Sequence, residues 1–365
     1  YHCDTRWDER KTAAVFAENN SDGRDQAPVG RVTGRSAALV TRAPGLPIRD
    51  RCLIVAVFRI KRVRLVGILL LVFAKRDTYG DIPQTTVYTQ TCPTGLLNRM
   101  GNKGGVAVSL RIHDTKICFV NSHLAAGSNE LSRRNQDFRE ISRIAFSGPG
   151  RPTIFDHDVL VWLGDLNYRL ESLEGRHLDN SEVRRVCANG ECAQLLKFDQ
   201  LVRMQKAKTA FHDFMEGDIS FPPTYKYDPG TDNWDSSEKA RVPAWCDRIL
   251  WMSRSAAVKQ LQYRSVREVK ISDHKPVVAL FSVTVKKIDQ TAYRKVHEEA
   301  IREGDRRANE ALPAVEMDRS EFNFGQVKFL EPKVLSLVIR NTGKYPVYFK
   351  FGKHAQEEGE FGVSK

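Results

Sequence analysis

Asp158-Val159-Leu160-Val161-Trp162-Leu163-Gly164-Asp165-Leu166-Asn167-Tyr168-Arg169 is the stretch on which the fold turns. It begins as an unbroken apolar run, the pattern of a strand buried on both faces. It ends abruptly in Gly164-Asp165-Leu166-Asn167, where polar groups replace the apolar ones. Three other segments place polar clusters beside apolar or strand-like stretches. Phe119-Val120 leads to Asn121-Ser122-His123, Pro243-Ala244-Trp245-Cys246 to Asp247-Arg248, and Lys270-Ile271 to Ser272-Asp273-His274-Lys275-Pro276. Strand ends of an open sheet share one rim, and ligands bind along that rim.

The surrounding pattern interleaves strands with helices. Val63 to Phe73 reads as a strand buried on both faces, and Gly104 to Ile112 and Lys116 to Val120 as a pair turning at His113-Asp114-Thr115. Glu130 to Phe146 has helical spacing, and Ser181 to Gln205 is helical with a break near Asn189-Gly190. Phe221 to Lys239 is a long loop, followed by strands at Asp247 to Met252 and Pro276 to Val285. The class is therefore α/β (α+β) with a mixed, largely buried sheet. Residues 1–58 have little period and are expected to form an unassigned, disordered leader. Ile288, Ala292, Val296 and Ala300 recur every four residues, the stripe of a linker helix within 286–314 that packs on a neighbour and ends by Pro313. Short strands with turn signals follow from Val315. An immunoglobulin-like sandwich needs about 100 residues, so residues 315–365 are expected to be the start of one.

Composition narrows the function. Lysine and arginine total 57 against 45 acids, a net charge of +12, which favours an anionic partner. The longest apolar run, Leu65 to Ala74, is too short for a bilayer, which takes about 20 residues. No signal peptide is visible at Tyr1-His2-Cys3-Asp4. Seven scattered cysteines suggest reduced thiols and a cytoplasmic chain. Cys187 and Cys192 have no matching Cys or His pair, which argues against zinc.

The polar rim carries the candidate chemistry. Asp165 and Asn167 stand at positions i and i+2, which face the same way along a strand. A carboxylate there can take a proton from water or hold a metal, and the amide can donate to a phosphoryl oxygen. Gly-Asp-x-Asn is also ordinary turn chemistry, but a turn alone does not need the flanking Trp162 and Tyr168-Arg169. His274 can meet a phosphate while a carboxylate, with Asp247 the candidate, holds its tautomer. His123 is either a strand-end histidine bonded to backbone or a third member. Gly101-Asn102-Lys103-Gly104-Gly105 lets backbone approach an anion, or closes a hairpin. It lacks P-loop spacing. Tyr225, Lys226, Lys239 and Arg241 gather phenol and cations that suit a second phosphate, or form a solvated basic loop. Leu96, Leu97 and Met100 beside basic residues suit a membrane surface or core packing.

As a set, Arg99-Met100-Gly101-Asn102-Lys103-Gly104-Gly105, Asn121-Ser122-His123-Leu124-Ala125-Ala126, Trp162-Leu163-Gly164-Asp165-Leu166-Asn167-Tyr168-Arg169, Pro243-Ala244-Trp245-Cys246-Asp247-Arg248-Ile249-Leu250 and Ser272-Asp273-His274-Lys275-Pro276-Val277 resemble the type II inositol polyphosphate 5-phosphatases of the endonuclease/exonuclease/phosphatase superfamily. The resemblance covers roughly residues 59–285. It implies a two-sheet sandwich flanked by helices, followed after the linker by an ASH domain. It also implies Mg2+-dependent removal of the 5-phosphate from phosphatidylinositol 4,5-bisphosphate and related inositol phosphates. Asp165 would position or deprotonate water, Asn167 would bond the phosphoryl group, His274 oriented by Asp247 would stabilise its charge, and His123 would touch it. Asn102 and Lys103 resemble contacts on the 1-phosphate side. Tyr225, Lys226, Lys239 and Arg241 resemble the 4-phosphate clamp, and Leu96, Leu97 and Met100 a membrane-dipping loop. The implied setting is peripheral on endosomal, Golgi or plasma membranes, in membrane traffic, with phosphoinositide head groups and Rab-type small GTPases as partners and no nucleic acid.

One departure stands out. The resemblance implies a strand with Asn-Val-Asn and then a Gln-Glu whose glutamate holds magnesium, and neither occurs. Glu9 and Glu18 are the only glutamates before residue 59; neither follows a glutamine, and neither is read as ending an apolar strand. The metal ligands are therefore left unassigned, the domain is expected to lack its first strands, and the chain is expected to be poorly active. A nuclease of the same superfamily and a non-catalytic phosphoinositide-binding module are the alternatives.

Overall fold

The computed structural model describes the strand backbones Arg6–Asp8, Ala13–Asn19 and Arg35–Val40, and residues 57–95, 102–147, 150–172 and 178–350. Two compact units divide near Asp289.

In the first unit, β1 (Arg6–Asp8) pairs with β13 (Val285–Lys287). A six-stranded sheet contains β2 (Ala13–Asn19), β3 (Arg35–Val40), β4 (Val57–Leu65), β5 (Ile68–Lys75), β11 (Val258–Ser265) and β12 (Val277–Val283), in the order β11-β12-β3-β2-β5-β4. The facing sheet is five-stranded: β6 (Tyr88–Pro93), β7 (Gly104–Ile112), β8 (Thr115–His123), β9 (Val159–Asp165) and β10 (Asp247–Ser253), in the order β10-β9-β8-β7-β6. Helices α1 (Arg76–Tyr79), α2 (Leu131–Ile141), α3 (Asn180–Ala188) and α4 (Gln200–Lys206) flank the strands. This is the two-sheet sandwich the resemblance implies.

Every residue of β9 is buried. Its side chains alternate between two cores: Val159, Val161 and Leu163 pack with Leu70, Val72, Val106, Val108 and Phe281 between the sheets. Leu160 and Trp162 pack outward with Phe138, Phe211 and Phe214. Trp162 meets those three rings at centroid distances of 5.3, 5.1 and 5.8 Å and donates its indole N–H to Ser122 Oγ at 2.9 Å. Burying each such side chain contributes about 1.5–3 kcal/mol, so β9 is anchored from both faces.

Three expectations change. The leader does not hold at Ala13–Asn19 and Arg35–Val40: β2 pairs with β5 and β3, and β3 runs parallel to β12. Ala13-Ala14-Val15-Phe16-Ala17 and Ala37-Ala38-Leu39-Val40 are short and alanine-rich, a weak strand signal, yet these strands join β12 to β5 and so complete the sheet. Val63 to Phe73 is not one strand. Val66, at φ 41°, turns the chain before Gly67, and β5 alternates buried with half-buried residues. Finally, α5 (Gln290–Glu310) of the second unit buries no residue; Ala292 and Val296 are half-buried and Ala300 is exposed. Asp289 caps it through the N–H groups of Thr291 and Ala292. In that unit β14 (Val315–Met317) pairs with β15 (Ile339–Asn341). No described helix is long and apolar enough to cross a membrane.

His157 gives the first unit a pH-dependent stability. It is buried, donating from Nδ1 to the Ile154 carbonyl at 3.1 Å, with Nε2 at 2.8 Å from Ser109 Oγ. Burial lowers its pKa below the ordinary 6.5. The unfolded chain therefore takes up a proton that the fold resists, so this contribution is present above that ordinary value and lost as pH falls below it. Urea midpoints at pH 8 and pH 5.5 should differ less in His157→Asn than in the parent.

Candidate active site

Strand register assembles the centre. Gly104 pairs with His123, His123 with Asp165, and Asp165 with Asp247, one position on each of β7, β8, β9 and β10. The row therefore brings two carboxylates and an imidazole to one sheet end. Asp165 Oδ2 lies 3.3 Å from His123 Nε2, and Lys103 Nζ lies 2.5 Å from that same nitrogen. His274, from the loop before β12, donates from Nδ1 to Asp247 Oδ2 at 2.7 Å. The same oxygen accepts from the Thr224 hydroxyl at 2.7 Å. Asp165, Asp247, His274, His123 and Asn167 are all buried.

Ligand atoms of Asp165, Asp247 and His274 lie within 4.8 Å of one another. His274 Nε2 is buried with no hydrogen-bond partner among the described residues. Two carboxylates at this spacing suit a hard divalent cation, which prefers oxygen ligands. The residues present fit such an ion.

Asn167 reaches Asp165 by a different route from strand alternation. β9 ends at Asp165, and Asn167 adopts a left-handed φ of 57°. Its backbone N–H donates to Asp165 Oδ1 at 3.2 Å, and its Nδ2 donates to the Leu124 carbonyl at 3.1 Å. Arg169 fixes the other end of the amide, donating to Asn167 Oδ1 at 2.5 Å and lying 4.5 Å above the Tyr225 ring. Tyr225 in turn packs against the His274 ring at 4.5 Å, and burial pushes its hydroxyl pKa up, so it stays a neutral phenol.

Beside this centre lies a cleft of about 430 Å³. Arg169, Tyr225, Lys239 and Arg241 line one part of it, and Ala126, Gly127 and Ser128 another. Arg134, fully buried, holds that second wall by donating to the carbonyls of Ala125 at 3.2 Å and Gly127 at 2.6 Å. Burial draws its pKa down to about 10, so it stays charged at neutral pH. Lys226 does not line the cleft; its ammonium is 3.2 Å from Asp235 Oδ1. Asn102 is exposed, and Lys103 points to His123. Leu96, Leu97 and Met100 lie outside the described residues. Arg134 and Asp235 carry no local pattern that marks them: Arg134 meets Gln200 66 positions on, and Asp235 sits in irregular loop among Lys226, Ser237 and Arg241.

Glu18 requires a correction. It is the penultimate residue of β2, an apolar strand, opposite Ser36 and Leu69. Ala17 pairs with Ala37, and Ala37 with Val277, so the register sets Glu18 and Asn19 at the sheet end from which His274 comes. Asn121 Nδ2 donates to the Leu69 carbonyl at 3.0 Å, tying the other sheet to that same row.

With this geometry, the comparisons converge. Residues 58–280 match Endonuclease/Exonuclease/phosphatase family 2. The chain belongs to this family. Residues 317–361 match the ASH domain of the OCRL-like inositol polyphosphate 5-phosphatases. A mouse protein, type II inositol 1,4,5-trisphosphate 5-phosphatase, is 45% identical over 305 residues, 82% of this chain and 30% of its own length. The Saccharomyces cerevisiae phosphatidylinositol 4,5-bisphosphate 5-phosphatase INP51 is 41% identical over 233 residues, 64% of this chain and 23% of its own length. The chain thus spans less than a third of these curated relatives. Among solved structures, the inositol polyphosphate 5-phosphatase domain of SPsynaptojanin, in complex with inositol (1,4)-bisphosphate and calcium ion, superposes with a TM-score of 0.61 at 35% identity. The match covers 70% of this chain and 71% of that one.

The row depends on Gly164, which precedes Asp165 on β9. Its φ is 132°, and an added Cβ would sit 2.1 Å from the Ser122 carbonyl oxygen. Gly164→Ala should destabilise the first unit by more than about 1 kcal/mol, read as a lowered urea midpoint.

Proposed function

We propose that this chain is a phosphoric monoester hydrolase that removes the 5-phosphate of phosphatidylinositol 4,5-bisphosphate and related inositol polyphosphates. The observation that carries the reading is the buried cluster of Asp165, Asp247 and His274, with His274 Nε2 free to meet a phosphate oxygen. Asp165 orients a water and takes its proton as the water oxygen bonds phosphorus. The inositol oxygen leaves with the bonding pair and ends as a hydroxyl by taking a proton from solvent, to which Asp165 returns the proton it took. Asn167, its amide locked by Arg169 and Leu124, offers its remaining N–H to the phosphoryl group. His274, held at Nδ1 by Asp247, meets the spreading negative charge from Nε2. Asp165 and Asp247 would hold Mg2+, which supplies charge neutralisation at phosphorus when bound. Lys239 and Arg241 in the cleft suit a neighbouring ring phosphate.

Leu96, Leu97 and Met100 as a membrane-contact loop, Asn102 as a head-group contact, and a peripheral place on endosomal, Golgi or plasma membranes belong to the same proposal. So do Rab-type partners of a complete ASH domain. The resemblance and the match at residues 317–361 support them. The test is release of inorganic phosphate from phosphatidylinositol 4,5-bisphosphate vesicles and from inositol 1,4,5-trisphosphate with Mg2+. Turnover removed by EDTA and restored by Mg2+ supports the reading. Vesicle binding without release would identify a non-catalytic module, and nicking of supercoiled plasmid a nuclease.

A further inference from the structure

Asp235 places a negative charge among groups assigned to hold an anion. Its carboxylate is buried and accepts from the backbone N–H of Arg241 at 3.0 Å, the backbone N–H of Ser237 at 3.2 Å and Lys226 Nζ at 3.2 Å. Arg241 NH1 stands 3.6 Å from its other oxygen. Burial works against the charge, yet these donors together hold the carboxyl well below the usual carboxylate range. The residue is itself fixed in place. Its N–H donates to the Lys226 carbonyl at 3.0 Å, its carbonyl accepts from Arg184 at 2.7 Å, and Trp234 before it stacks on Tyr227 at 4.4 Å.

As a feature of a plain anion site, this charge has the wrong sign. It makes sense as an organiser. Lys226 and Arg241 come from separate segments and repel each other; one carboxylate between them lets both occupy the same small region. Arg241 is bound twice, through backbone and guanidinium, so the segment that lines the cleft is set by Asp235 as well.

We propose that Asp235 is a positioning residue that sets selection for a second anionic group on the substrate ring, beside the phosphate being removed, by holding the cleft residue Arg241 in one arrangement, with Lys226 as the counter-charge that pins Asp235 from behind. The proposal rests on the phosphatase reading above. Asp235 makes no contact with the reacting atoms, so its signature is a KM effect confined to substrates that carry the neighbouring phosphate.

The test compares Asp235→Asn with the parent on inositol 1,4,5-trisphosphate and on inositol 1,5-bisphosphate. KM for the trisphosphate should rise about tenfold with kcat within about twofold, the size of losing charge-assisted contacts. Values for the bisphosphate should not move. In a Lys226→Ala/Arg241→Ala background, Asp235→Asn should add nothing further. Equal loss on both substrates, or the same loss in that background, overturns the proposal. Should Asp235→Asn fail to fold, Lys226→Ala and Arg241→Ala are combined in the otherwise unaltered chain: non-additive effects on trisphosphate KM support a shared organiser, and strict additivity overturns it. If the parent releases phosphate from neither substrate, the phosphatase reading fails separately. Calorimetric binding of inositol 1,4-bisphosphate then decides, with about tenfold weaker affinity in Asp235→Asn supporting the proposal and unchanged affinity overturning it.

Discussion

Asp165→Asn is expected to lower kcat for 5-phosphate release by about 10²–10⁴-fold, the range for loss of a general base, with KM little changed. Asparagine keeps the shape and can still accept from the Asn167 N–H, which reaches Oδ1 at 3.2 Å. What it loses is the charge that takes the water's proton, helps to hold the divalent ion and faces His123 at 3.3 Å. Because the isostere preserves the β9–β10 pairing, the melting temperature should stay close to the parent's. Steady-state phosphate release alongside thermal unfolding checks both halves; a variant within about threefold of the parent in kcat would remove Asp165 from the chemistry.

Arg248→Met carries the largest expected effect on stability. Arg248 is completely buried. It donates from NH1 to both Asp199 oxygens at 3.0 and 3.1 Å, and from Nε and NH2 to Glu216 at 2.7 Å each. Tyr263 extends the network, donating to Glu216 Oε1 at 2.8 Å and accepting from the Ile249 N–H at 3.1 Å. Removing the cation strands two carboxylates out of water, which costs about 3–5 kcal/mol. For a unit of this size that is about 10 °C in melting temperature, measurable by calorimetry. Replacing all three residues together, Arg248→Met with Asp199→Asn and Glu216→Gln, should recover part of the loss, since no uncompensated charge remains. The cap on α4, which Asp199 provides by accepting from the Val202 N–H, survives in that triple variant, because an asparagine side chain caps a helix as well as an aspartate.

The sequence was readable where local pattern and tertiary role coincide. Val159 to Leu163 is apolar throughout because both faces of β9 are covered, and Asp165, Asp247 and His274 stand out as polar groups at the ends of apolar runs or in the loop entering one. Pattern failed where burial is one-sided or the signal is short. Val258–Ser265 is largely exposed, so β11 shows no apolar run; Tyr88–Pro93 buries no residue fully, which hides β6. The turn at Val66-Gly67 lacks the Asn-Gly or Asp-Gly that marks a tight hairpin, so two strands read as one. Asp235 and Arg134 could not be found from pattern at all. A buried charge betrays itself only through partners that folding brings near, as Arg134 meets Gln200 across 66 positions at 2.7 Å.

The row from Gly104 through His123 and Asp165 to Asp247 separates two kinds of inheritance within the molecule. His123, Asp165 and Asp247 ride on neighbouring strands at one hydrogen-bonded row, where a slip by a single residue would turn each of them to the opposite face. Lys239 and Arg241, by contrast, ride on connecting chain, free to be rewritten. On the proposed function, a scaffold of this kind can change its diet of ring phosphates through loop substitutions alone, while the sheet itself keeps the spacing of His123, Asp165 and Asp247.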